Sequence, residues 1–171
     1  MRTIIFLLLF SQFANAQQLP CSSPEYRKFD FWIGEWEAFA KDGSKAGDSK
    51  ISVILDSCII LEEWTSASIQ KGLRYAGKSF NTYNASLGQW QQTWVDNTGA
   101  TISYILGKSE TNGIVFKTRY FYVSKDSVII RRLSFYKISS DRVRQLGEIS
   151  KDGEKTWQTE YDLEYRRKKT Q

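Results

Sequence analysis

Residues 73–107 read LRYAGKSFNTY, NASLG, QWQQTWVD, NTGA and TISYILG. Three of these five pieces alternate polar with apolar or aromatic residues, the two-residue period of a β-strand. The two short pieces between them hold Leu87-Gly88 and Asn97-Thr98-Gly99, which supply the positive-φ residues that tight turns demand. The stretch therefore predicts three strands joined by two hairpins.

The same alternation continues on both sides of this stretch, and no proline follows Pro24. Residues 23–28 are expected to form one short helical turn. The ten candidate strands are residues 31–40, 50–55, 58–66, 73–83, 89–96, 101–107, 114–123, 128–136, 142–150 and 156–166. A sheet of hairpin-connected strands leaves two exposed edges unless it closes, so we predict an all-β fold, a single up-and-down antiparallel β-barrel. A two-sheet sandwich is the alternative.

The first 16 residues have the three parts of a cleavable signal peptide. Arg2 comes first, an apolar run over residues 4–10 follows, and Ala14-Asn15-Ala16 forms a small-x-small cleavage site, with cleavage after Ala16. Polar residues interrupt the run before it reaches the roughly 20 residues that a membrane anchor needs. We predict a signal peptide over 1–16 and one domain over 17–171, periplasmic or extracellular, with no membrane anchor after cleavage.

Both cysteines, Cys21 and Cys58, follow the predicted cleavage position. In an oxidising compartment an even pair usually forms a disulfide, which is the prediction here. Two separate buried thiols are the alternative, because pairing depends on geometry.

The chain contains no histidine, and Met1 is its single methionine. The usual haem ligands, histidine-based zinc sites and every Ser-His or Cys-His nucleophile pair are therefore excluded. We expect no cofactor and no bound metal. The net charge of +5 is mild and lies partly in the terminal run over residues 166–169, so no nucleic-acid partner is expected.

Strand alternation sorts the polar and aromatic residues of the middle strands into shared faces. Ile60, Glu62 and Trp64 share one face, Ser79, Asn81 and Tyr83 another, and Trp90, Gln92, Trp94 and Asp96 a third. Turned inward, such faces would line a small-molecule pocket; otherwise the tryptophans fill the core. The candidate ligand-binding residues are Glu62, Trp64, Ser79, Asn81, Tyr83, Gln92, Trp94, Asp96 and Arg132.

Residues 29–36 carry the Gly-x-Trp signature seen on the first strand of lipocalins. The wider pattern adds Cys21 with Pro24, Cys58 through Trp64, Ser79 to Tyr83, Trp90 to Gly99, and Val143 to Gly153. Together these motifs resemble a family of secreted bacterial calycin-like β-barrels of unknown function. The resemblance spans nearly all of residues 17–171 and departs from the pattern at Phe135 and at Gly153. It implies a calycin-like barrel in the bacterial envelope and leaves the activity open.

Three functions remain open from the sequence. The first is a non-catalytic barrel that binds a small, partly apolar ligand in its interior. The second is a carboxylate-based hydrolase or isomerase that uses Glu62 and Asp96. The third is an envelope domain with a filled interior that acts through surface contacts with another protein.

Overall fold

Antiparallel strands account for most of the computed structural model, which describes residues 20–124 and 127–169. The predicted signal peptide, residues 1–16, lies outside the described residues. Two short 3₁₀-helices, Pro24–Arg27 and Asp30–Trp32, precede the first strand. The strands are β1 Gly34–Ala40, β2 Lys45–Ile54, β3 Ile59–Gln70, β4 Leu73–Asn84, β5 Gln89–Asp96, β6 Thr101–Glu110, β7 Gly113–Lys117, β8 Phe121–Ser124, β9 Ser127–Lys137, β10 Arg142–Ser150 and β11 Gln158–Arg167.

Ten of these strands close into a barrel. From β1 to β7 each strand pairs with its neighbour in the chain, β7 then pairs with β9, and β10 lies between β9 and β11. The ring is completed where β11 pairs with β1, with Trp36 opposite Arg167. The short strand β8 pairs with the start of β9 outside the ring. The predicted all-β, up-and-down barrel is confirmed, and its architecture is compatible with a calycin-like fold.

Several strand limits differ from the prediction. Residues 31 and 32, predicted as strand, belong to a helical turn in which Trp32 N donates to Phe29 O over 3.1 Å. Strand β2 begins at Lys45 and not at residue 50, because β1 and β3 pair with it on both sides. The predicted strand over 114–123 is two strands, since the chain leaves the barrel after Lys117 to form β8.

Aromatic side chains from the segment before β1 fill one end of the barrel. Phe29 and Trp32 are fully buried, and their rings stack with centroids 5.1 Å apart. Trp90 from β5, Phe116 from β7 and Phe135 from β9 surround Phe29 at centroid distances of 5.7, 5.9 and 4.9 Å. This packing plugs one end of the barrel. We call it the lower end, and it is the end at which the chain enters the barrel.

Trp36 of the Gly-x-Trp motif connects the first strand to the last. Its Nε1 donates to Trp32 O over 2.8 Å, and the Arg167 guanidinium lies 4.2 Å from the centre of its ring. Arg167 Nη1 also donates to Ile33 O over 3.0 Å. The motif therefore fixes the plug against both strands of the seam between β1 and β11.

The predicted disulfide between Cys21 and Cys58 is present. Cys58 lies in the turn between β2 and β3, and Arg27 of the first 3₁₀-helix donates to Ser57 O in the same turn. The disulfide thus ties the segment that plugs the barrel to the lower end of the sheet.

Candidate functional site

A cavity of about 500 Å³ occupies the upper half of the barrel and opens at the end opposite the plug. Six strands contribute to the floor of the cavity. In each of them, the strand direction and pairing show which lining residue lies nearest the plug, and that residue belongs to the floor. The floor residues are Glu62, Gln92, Tyr104, Leu133, Gln145 and Tyr165. The walls and rim are formed by Ala46, Trp64, Ser66, Gln70, Tyr75, Trp94, Ile102, Arg131, Glu160, Tyr161 and Leu163.

Glu62 is the centre of a hydrogen-bond network on the floor. Its Oε1 accepts from Ser49 Oγ over 3.0 Å and from Tyr165 Oη over 3.2 Å, and its Oε2 accepts from Ser79 Oγ over 2.9 Å. Tyr165 Oη also lies 2.7 Å from Gln145 Oε1. Four strands thus meet at one carboxyl group, which is 2 % exposed.

The environment of Glu62 favours its protonated form. Burial raises the pKa of the Glu62 carboxyl from 4.5 to about 7, and the bonds from Ser79, Ser49 and Tyr165 offset part of this rise. Among the described residues, the groups bonded to the carboxyl are hydroxyls and include no cation. Near neutral pH this site can therefore hold or release a proton.

A second arm of the network runs along β4 and β5. Asn81 Nδ2 donates to Ser79 Oγ over 3.0 Å and to Ile60 O over 2.9 Å, while Gln92 Nε2 donates to Asn81 Oδ1 over 2.7 Å. Asn81 is fully buried and Gln92 is 3 % exposed. Because Ser79, Asn81 and Gln92 each have a hydrogen-bond partner, the network is stable in an apolar interior.

The aromatic rings of the wall lie against glycines of neighbouring strands. A Cβ at Gly47 would come within 2.6 Å of the Trp64 ring, and one at Gly77 within 2.3 Å of the Trp94 ring. Tyr161 lies over Gly147 in the same way, at 2.4 Å. These strand glycines leave room for the rings beside the wall, so the rings border the cavity and do not fill it.

Charged groups at the rim are paired. Arg131 Nε lies 3.1 Å from Glu160 Oε2, and both residues line the opening. Beside the rim, Asp96 accepts from Tyr75 Oη over 3.0 Å and from Trp94 Nε1 over 3.3 Å. Hydrogen bonds from Thr98, Tyr75 and Ala100 lower the pKa of Asp96 to about 2, so this carboxyl is ionised at neutral pH.

The structure places eight of the nine candidate residues in four locations. Glu62, Trp64, Gln92 and Trp94 line the cavity, and Asp96 lies beside its rim. Ser79 and Asn81 lie behind the floor, where they bond to Glu62 and Gln92. Tyr83 belongs to the plugged end, with its ring 5.3 Å from that of Tyr26.

Arg132 is a correction to the predicted inward set. Its guanidinium lies 4.1 Å from the centre of the Trp157 ring and 2.8 Å from Glu148 Oε2, and it is not among the residues that line the cavity. The neighbouring residue Arg131 reaches the rim instead. Both Ile130 and Leu133 are buried although they have opposite parity, so strand alternation does not identify the inward face of β9.

Sequence reasoning missed Gln145 and all four tyrosines that line the cavity, which are Tyr75, Tyr104, Tyr161 and Tyr165. Alternation in β11 places Tyr161, Leu163 and Tyr165 on one face, and this was the available signal. Alternation could not predict the hydrogen bond between Tyr165 and Glu62, because these residues are 103 positions apart in the sequence.

The cavity offers aromatic walls, a protonatable carboxyl and two amide side chains at its floor. The described residues include no group of three or more Cys, Asp or Glu side chains arranged to hold a metal ion, and no helix among them is long and apolar enough to cross a membrane. No protein-family model matches the chain, and no curated protein matches it at a significant level.

Proposed function

We propose that this chain is an exported binding protein that holds a small, partly apolar molecule inside its barrel and does not catalyse a reaction on it. The observation that carries the proposal is the open cavity of about 500 Å³, in the size range of small-molecule sites. Its apolar and aromatic walls and its few convergent polar groups fit a ligand with an apolar body and one polar end.

Export is part of the proposal. The signal-peptide pattern over residues 1–16 supports it, and so does the disulfide between Cys21 and Cys58, since disulfides persist in oxidising compartments. The ten-stranded barrel and the Gly-x-Trp segment support membership of the secreted bacterial calycin-like family.

Two measurements test the binding function. Native mass spectrometry of protein purified from its own host would detect a retained small molecule, and calorimetric titration with 2-(naphthalen-1-yl)ethanol, a neutral probe, would detect one site per chain. Ala46→Trp places a large side chain in the cavity, and Ala85→Trp adds the same group at the exposed turn between β4 and β5. We expect the first variant to weaken probe binding by about tenfold or more and the second to leave it unchanged.

Unchanged probe affinity in a folded Ala46→Trp protein would contradict binding inside the barrel. In that case the third hypothesis, a domain acting through its surface, would be favoured, since Tyr120, Phe121 and Tyr122 are 48 %, 68 % and 74 % exposed.

A second candidate function, acid–base catalysis, is favoured by one observation. The pKa of Glu62, about 7, suits a group that accepts and donates protons near neutral pH. Asp96 fits the predicted carboxylate pair less well, because it accepts several bonds from its own turn. Hydrolysis of p-nitrophenyl esters that is lost in Glu62→Gln and retained in Glu63→Gln would favour the enzyme.

A further inference from the structure

We propose that the ligand of this cavity is an amine, bound as an ammonium ion whose charge is neutralised by Glu62 and whose apolar body lies between the aromatic walls. This inference rests on the proposed binding function and names the chemical class of its ligand.

The first argument is that the Glu62 carboxylate lacks a counter-ion. Its described bonds come from Ser49, Ser79 and Tyr165, all of them neutral donors. An ionised carboxylate has about four acceptor positions, so these three bonds leave one for a ligand donor. A buried carboxylate is costly unless a cation pairs with it, and an ammonium ion supplies both the donor and the charge.

The second argument is that the other charged groups at the cavity do not favour an anion. Arg131 is a cation that lines the rim, and it is already paired with Glu160. The tyrosines that face the cavity stay neutral, because burial raises the pKa of Tyr75 and Tyr104 to about 12 and also raises those of Tyr161 and Tyr165. Asp96, beside the rim, adds a second negative charge.

The third argument is the aromatic surface above Glu62. The Tyr165 ring centre lies 6.2 Å from that of Trp64, and the Tyr75 ring centre lies 6.3 Å from that of Trp94. The faces of tryptophan and tyrosine rings attract cations, and desolvation in a cavity strengthens that attraction. A carboxylate in a cavity lined by such rings favours an ammonium ion over a neutral alcohol of the same size.

Proton balance gives the proposal a distinctive signature. When Glu62 is protonated, an incoming ammonium ion displaces the carboxyl proton, which goes to the buffer, and the complex holds one ammonium and one carboxylate. When Glu62 is already ionised, no proton is released. Binding should therefore release close to one proton per amine at pH 5.5 and close to none at pH 8.5.

The experiment compares three probes of similar size on the full mature protein. They are 2-(naphthalen-1-yl)ethylamine, the neutral 2-(naphthalen-1-yl)ethanol and the anion naphthalene-1-acetate. At pH 8 the amine should bind about ten- to a hundredfold more tightly than the alcohol, the range expected for a charge-assisted hydrogen bond, and the acetate should bind most weakly. Calorimetry in buffers of different ionisation enthalpy measures the released proton.

Glu62→Gln and Glu63→Gln form a matched pair. Glu63 is the next residue, points out of the barrel and pairs with Lys78 over 2.7 Å, so its substitution removes the same charge without touching the cavity. We expect Glu62→Gln to lose the preference for the amine while it still binds the alcohol, and this remaining binding also reports that the cavity is intact. Glu63→Gln should keep the preference.

Two different failures can be told apart. If neither the alcohol nor the amine binds, the proposed binding function fails and this inference fails with it. If the alcohol binds and the amine binds no better, or if the preference survives in Glu62→Gln, the cavity is a binding site but the amine assignment is wrong. Tighter binding of the acetate, or no proton release at pH 5.5, also overturns the assignment.

Discussion

The hydroxyl of Tyr165 lies 3.2 Å from Oε1 of Glu62. The same hydroxyl lies 2.7 Å from Gln145 Oε1, so one proton faces two acceptors. When Tyr165 donates to Gln145, the contact with Glu62 keeps a hydrogen bond only if the carboxyl itself carries a proton. In that arrangement the bonds from Ser49 and Ser79 alone offset the rise that burial causes in the pKa of Glu62.

The first prediction concerns stability and pH. The pKa of Glu62 rises from 4.5 to about 7 on folding, so its contribution is fully present below pH 4.5 and is lost as pH increases through 7. The free energy of unfolding should fall by roughly 3 kcal/mol over this window. Chemical denaturation at pH 5 and pH 8 measures the change.

Glu62→Gln should remove this dependence, and Glu63→Gln should keep it. The pKa values of Asp152 and Asp162, which hydrogen bonds lower to about 2, affect stability at lower pH and do not interfere. An equal loss of stability in the wild type and in Glu62→Gln would contradict the assignment of the effect to this carboxyl.

The second prediction tests the contact between Gly147 and Tyr161. A Cβ at Gly147 would meet three atoms of the Tyr161 ring, the nearest at 2.4 Å, so Gly147→Ala forces the ring toward the cavity. We expect a cost of about 1–3 kcal/mol in the free energy of unfolding. In a Tyr161→Ala background the same substitution should cost less than about 0.5 kcal/mol, as a double-mutant cycle would show. Equal costs in both backgrounds would mean that contact with the Tyr161 ring does not cause the loss of stability.

The third prediction concerns the disulfide. Cys21 and Cys58 are 37 positions apart, and a cross-link of that span restricts the unfolded chain. The double variant Cys21→Ser, Cys58→Ser should lower the free energy of unfolding by about 3–4 kcal/mol. Thiol labelling of protein from its own host should detect no free cysteine, whereas two labelled cysteines per chain would reject the bridge in that compartment.

The fourth prediction concerns the substitution of Gln92 by leucine. From strand alternation alone, Gln92→Leu keeps the side-chain volume and should change stability little. In the structure, however, Gln92 is the donor to the fully buried Asn81 Oδ1, which the substitution leaves without this partner. We expect a loss of about 1–3 kcal/mol in the free energy of unfolding.

Gln91→Leu is the matched control, because Gln91 points to the other face of β5. It should change the free energy of unfolding by less than about 0.5 kcal/mol. If both leucine variants are equally stable, the bond between Gln92 and Asn81 does not contribute to the stability of the fold.

Trp94→Ala, which removes a ring of the cavity wall, should lower probe affinity more than either leucine variant does.

The sequence predicted the features that depend on local pattern. Strands β5 and β10 have the predicted limits, since clear turn residues bound each of them. The second 3₁₀-helix was missed because its aromatic residues suit a strand equally well, and only the plug explains why they turn inward. The orientation of β9 was missed because adjacent apolar residues and adjacent arginines give no alternation to read.

The candidate site was accessible from sequence only in part. Alternation along β3 and β5 identified Glu62, Trp64, Gln92 and Trp94, which line the cavity. The hydrogen-bond partners of Glu62 and the burial that raises its pKa come from other strands, and both depend on how the sheet closes. No local pattern contains that information.

The seam between β1 and β11 also bears on how the chain folds. Successive hairpins can form one after another from neighbouring segments, but the ladder that sets Trp36 opposite Arg167 must join the two ends of the sheet. Such non-local pairing forms its stabilising contacts only after a large loss of chain entropy. Barrels with many long-range contacts therefore typically fold in milliseconds to seconds. Until the seam forms, two strand edges remain open to pairing with other molecules, so ring closure is the kinetic step at which folding competes with aggregation.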